Sequence, residues 1–176
     1  MKLIKRISCF FDRISHEIRM IKIKYILIFS LIFLILGIAS WIIGGGVNRV
    51  MLLYTFPRSA IHIGFMFILW GLSFLLCGTI FAGVLFGCEK YKRQKAYKIG
   101  LYIALMQIFM LIIYPLFFGA IAPFIALLSI LVSISLCFLA IISAYRIYSM
   151  WTICLGLHFL WLIYNGYICL AFILIN

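Results

Sequence analysis

The chain has 176 residues, of which 68% are hydrophobic and 10% charged, against about 45–50% and about 25% in soluble domains. That balance excludes an ordinary water-soluble domain and marks an integral membrane protein. The net charge of +12 does not mark a nucleic-acid partner either: seven of the fifteen Lys and Arg precede residue 25, five lie between Glu89 and Ile99, and the apolar runs are empty of them.

Residues 1–24 place Ile4, Ile7, Phe11, Ile14, Ile18 and Ile21 at helical spacing, with Lys5, Arg6, Arg13, Arg19 and Lys22 on other faces. This pattern predicts a basic amphipathic helix lying on an anionic leaflet. The first span follows, about 25–43, and stops at Gly44-Gly45-Gly46. The basic lead and apolar run resemble a signal peptide, but the lead is too long and four more spans follow, so the helix is read as retained. The connection from Gly44 to Ser59 carries Arg49, Pro57 and Arg58, with apolar Met51 to Tyr54 inside it.

The second span, about 61–87, holds two close-packing seams, Gly78 with Ala82 and Gly83 with Gly87. His62, Met66, Trp70, Ser73 and Cys77 share another face. The third span, about 99–117, belongs to the charge-free run Gly100 to Gly119, long enough to cross a hydrocarbon core of about 30 Å. Its small residues Gly100 and Ala104 suit close approach of another helix and predict homodimerisation there. Pro115 and Pro123 stand eight residues apart, which predicts a very short turn into the fourth span, about 122–144. That span carries Ser129, Ser133, Ser135 and Ser143, hydroxyls that bond to their own helix or a neighbour. Arg146 marks the last turn and the fifth span covers about 150–175. The expected fold is therefore all-α, a five-helix transmembrane bundle. Thirteen positive residues on one side against two on the other place the N-terminus in the cytoplasm of a cell-membrane protein and the C-terminus outside.

None of the acidic residues Asp12, Glu17 and Glu89 lies mid-membrane, which excludes most carboxylate-driven pumps and intramembrane hydrolases. The six cysteines form no CxxC pair and read as small buried hydrophobes, not as metal ligands. On the last span Trp151, Cys154, His158, Trp161, Asn165 and Cys169 make one face that should look inward. Trp70 and Trp161 fall near one depth, where two indoles could sandwich a flat apolar ligand or fill the bundle core. His158 suits haem ligation or, more simply, a hydrogen bond to a neighbouring serine; His62 and Arg58 suit a ligand carboxylate or an ordinary interface.

Tyr114-Pro115-Leu116-Phe117-Phe118-Gly119 resembles the SPLFFG element of the TspO/MBR family of tryptophan-rich sensory and translocator proteins. Gly100-Leu101-Tyr102 resembles the start of that family's third helix. Pro57, Trp70 and Gly78 match the spacing of its KP, VW and MG positions, and Leu160-Trp161 and Asn176 match its LW and closing LN. The resemblance covers roughly residues 37–176. It implies a five-helix bundle, often dimeric, with a cavity under the connection between helices one and two. That cavity binds porphyrins such as protoporphyrin IX and haem, or sterols in some members. Sensing, transport and light-dependent porphyrin breakdown are among the family's roles. Carried over, it implies ligand contacts at Trp70 and Trp161, with Tyr114 and Asn165 as local candidates. This chain departs from the family at Ser59, Ile61, His62, Met110, Ile113, Leu157, His158 and Cys169. Much of the lining is thereby altered. The expectation is a receptor for a porphyrin-like or sterol-like ligand needing no resident cofactor; the alternative is a membrane interaction or transport subunit that has lost porphyrin binding.

Overall fold

A computed structural model describes residues 8, 9, 11, 12, 14–16, 23–44, 55, 57, 58, 60, 62–86, 95–119, 122–145 and 149–176. Five long helices dominate: α1 (Ile23–Gly44), α2 (Ile63–Phe86), α3 (Lys95–Gly119), α4 (Pro123–Tyr145) and α5 (Ser149–Ile175). No strand occurs among the described residues. At 22 to 27 residues each helix is about 33–40 Å long, and all five are apolar enough to cross a membrane. Leu27, Leu31, Ile35, Ile68, Tyr102, Phe109, Leu128, Phe138, Leu157 and Leu160 point outward and exposed, an outer surface that lipid and not water would solvate. The fold is thus the all-α membrane bundle that composition and span length predict.

Helix α1 packs along α2, α3 along α4 and α4 along α5; smaller α1–α3 and α2–α5 contacts close the ring in the order α1–α2–α5–α4–α3. Helices α2 and α3 meet at few positions. Close approach of α1 and α2 depends on Gly78: a Cβ there would stand 2.6 Å from the Phe29 carbonyl oxygen and from Ser30 Cα. Gly44 does the same between α1 and α3, where a Cβ would come within 2.8 Å of the Pro115 carbonyl oxygen. In lipid, no hydrophobic force drives helices together, so such backbone proximity supplies van der Waals attraction instead.

Helix α3 begins four residues before the predicted start and runs through Pro115. Proline has no N–H to bond the carbonyl one turn back. The turn into α4 is as short as the two prolines require, and the Ala122 amide donates to the Phe117 carbonyl at 3.0 Å to close it. Pro123 occupies the first position of α4, where a missing N–H costs nothing. The α4 hydroxyls satisfy themselves: Ser129 donates to Ala126 O, Ser133 to Ser129 O, Ser135 to Leu131 O and Ser143 to Leu139 O.

Of the predicted amphipathic segment, Phe11 and Ile14 lie in helical backbone, Phe11 exposed and Ile14 half-buried. Its other apolar positions, most of the connection from Gly44 to Ser59 and most of the basic loop after Glu89 lie outside the described residues.

Candidate functional site

The buried stripe of α5 is Trp151, Leu155, His158, Leu162, Asn165, Cys169 and Phe172, stepping by 4, 3, 4, 3, 4 and 3. It shares four members with the polar face expected from spacing. Cys154 and Trp161 fall at its edge, half-buried. Two of its members face α2 and α4 in turn: His158 shares a hydrogen bond of 2.8 Å with Ser73, and Cys169 donates to the Pro123 carbonyl at 3.4 Å. His158 is wholly buried and its Nε2 has no partner among the described residues. The serine partner on a neighbouring helix is the simpler of the two readings of this histidine.

Trp70 is wholly buried. Its indole N–H donates to Ser40 Oγ at 3.3 Å. Its ring neighbours are Phe74 at 5.5 Å, Tyr114 at 5.6 Å and Trp41 at 6.0 Å between centroids. Tyr114 continues the series to Phe118, and Phe118 to Phe172 on α5. Trp161 instead stacks on Tyr164 at 5.5 Å, and its indole N–H has no partner among the described residues. Among the described residues no ring contact joins Trp70 to Trp161. The two indoles expected to face one ligand sit in different ring clusters, Trp70 wholly buried on α2 and Trp161 half-buried at the edge of the α5 stripe.

What the structure brings together lies nearer the end of the bundle that holds Asn176. There Trp41 of α1, Met66 of α2, Tyr114, Pro115 and Phe118 of α3, and Asn165 and Ile168 of α5 surround a cavity of ≈ 10 Å³, room for about one water molecule. Asn165 donates through Nδ2 to the Trp161 carbonyl at 2.8 Å, leaving Oδ1 as an acceptor. Its walls are aromatic and aliphatic, with two polar side chains, Tyr114 and Asn165, around a space far below the about 300–1,000 Å³ of a drug-sized site. The uncut run of α3 through Pro115 is what presents Tyr114 and Phe118, four residues apart, to the same space.

Of the other candidates, His62 is exposed and immediately precedes α2. Its carbonyl accepts from Phe65 N and Met66 N and its Nδ1 from Gly64 N at 3.3 Å, the work of a helix cap. Arg58 is exposed in the turn closed by Ala60 N donating to Pro57 O. Neither lines the cavity. Ala104 is 8% exposed and turns into the protomer, sharing a second small cavity with Cys77 and Gln107; Gly100 lies one turn earlier on the same helix.

Trp41 and Gln107 are the residues that composition and spacing do not single out. Trp41 sits near the end of its helix, where a tryptophan reads as an interfacial anchor. Gln107 is one polar residue in a long apolar run, and its depth depends on which way α3 faces. A five-helix membrane bundle with a small polar-tipped aromatic cavity near one end is what fold and site define. Compared with family models and with curated proteins, the chain finds no match in either.

Proposed function

We propose that this protein is a TspO-like membrane receptor that binds a flat apolar ligand at the Trp41–Tyr114–Asn165 pocket. The observation that carries the reading is the convergence of two polar side chains, from α3 and α5, on one aromatic-walled cavity. Tyr114 and Asn165 would orient a polar tip of the ligand while Trp41 and Phe118 contact its faces. The sequence landmarks shared with the TspO/MBR family support a tetrapyrrole or a sterol-like lipid as the ligand class. The charge asymmetry supports a cell-membrane protein with a cytoplasmic N-terminus, so that the pocket opens toward the outer side. With room for about one water, the pocket admits such a ligand only when the Phe118 and Trp41 rings swing aside.

That same closure favours a second reading, a membrane interaction or transport subunit whose ancestral pocket has been filled by side chains. One experiment separates the two. Protein in nanodiscs is titrated with protoporphyrin IX while tryptophan fluorescence is followed. The receptor reading expects saturable quenching, reduced in Trp41→Phe and lost in Asn165→Leu. Quenching that never saturates, or that is the same in both variants, selects the second reading.

A further inference from the structure

Gln107 lies midway along α3 and is 3% exposed. Its Nε2 has no well-formed hydrogen bond among the described residues, though the side chain reaches the Cys137 thiol. The side chain lines a cavity of ≈ 10 Å³ together with Cys77, Ile80, Phe81, Ala104, Ile108 and Leu155. An amide N–H₂ group has two hydrogens to place, and deep in a membrane bundle each demands an acceptor. The cavity beside it is the size of one water. Cys77 Sγ lines the same cavity, and the Cys137 thiol, which donates to the Leu155 carbonyl at 3.5 Å, lies beside the Gln107 amide.

We infer that this cavity is a hydration site, holding one water that accepts from Gln107 Nε2 and donates toward the Cys77 sulfur. Its place in the fold gives the water a task. Helices α2 and α3 meet directly at few positions, and the cavity walls come from α2, α3 and α5. The water joins three helices where the side chains themselves leave a gap. The Ser73–His158 bond lies one turn away on α2 and α5, so the water extends that polar cross-link to the third helix. This inference stands on its own residues and not on the ligand proposed above.

The sequence contains two glutamines, Gln94 and Gln107, which makes the test selective. Protein with ¹⁵N in the glutamine side-chain amides is reconstituted in phosphatidylcholine bilayers, and magnetisation transfer from water protons is measured by solid-state NMR. Gln94→Asn removes one signal and assigns the other. The expected result is water transfer to the Gln107 amide despite its burial, lost when Ala104→Val or Cys77→Leu fills the cavity. Having two filling variants guards against one that fails to fold. A Gln107 amide that receives no transfer from water overturns the proposal, as does one that correlates with lipid carbonyls instead.

Discussion

The side-chain amide of Asn176 pairs with the backbone of Thr55 at two points. Oδ1 accepts from Thr55 N at 3.1 Å and Nδ2 donates to Thr55 O at 3.0 Å, across 121 positions of sequence. The same Nδ2 donates to Phe172 O at 3.0 Å, which ties the amide to the last turn of α5. The connection between α1 and α2 is thereby fastened to the end of α5, at the end of the bundle where the aromatic cavity lies. Each such bond contributes about 0.5–1.5 kcal/mol net. Asn176→Ala should lower stability by about 1–3 kcal/mol, and Asn176→Asp, which keeps the acceptor and loses the donor, should recover only part of it. Thermal unfolding in detergent, followed by circular dichroism, measures both; variants that melt with the parent protein would show that the pairing contributes nothing.

Ser73 and His158 form a buried polar pair between α2 and α5. Removing one partner leaves the other desolvated and unpaired. Ser73→Ala and His158→Phe should each destabilise by about 1–3 kcal/mol. The double variant should be less damaged than the two losses added, with a coupling of about 0.5–3 kcal/mol. Strict additivity in a double-mutant cycle would show that the two groups do not interact.

Trp70 is a packing residue with a bonded indole, whereas Trp41 borders the cavity. Trp70→Ala should cost about 3–5 kcal/mol of stability. Trp41→Phe should leave the melting temperature nearly unchanged and act on ligand titration instead. Comparable melting losses in the two variants would contradict this division.

Gly78 tolerates no side chain, because a Cβ would meet the α1 backbone, which cannot rotate aside as a side chain can. Gly78→Leu should separate α1 from α2, and even Gly78→Ala should cost about 1–3 kcal/mol. A cysteine pair placed across that seam should crosslink efficiently in the parent background and poorly in Gly78→Leu.

Ala104 faces Cys77 inside the protomer. Ala104→Leu should therefore lower the melting temperature without altering association, read by crosslinking in lipid. A change in oligomeric state at unchanged melting temperature would return this residue to an interface between copies.

Much of this was legible in one dimension. Five helices followed from apolar runs of spanning length, since in lipid every backbone polar group must be bonded within its own segment. The short α3–α4 turn followed from Pro115 and Pro123, and the inward face of α5 followed from the cost of showing Asn165 or His158 to lipid. The site was less legible. Trp70 and Trp161 stand out in the sequence because tryptophan is large and rare, yet they do not share a neighbourhood. Tyr114 and Asn165 do share one, together with Trp41, which reads in sequence as an anchor. Periodicity gives the stripe a helix buries to within about one residue. Whether Trp161 or Leu162 faces the core is a rotation of about 100°, and the neighbouring helices set it.

Composition and length along the chain are enough to set the solvent, the number of spans and which residues are too polar to face lipid. The helix ring, the His158 partner, the setting of the Gln107 amide and the membership of the aromatic cavity emerge from packing between helices. Those depend on how each helix is turned about its axis, which is fixed where two backbones touch at Gly78 and Gly44 and not by any property of one helix alone.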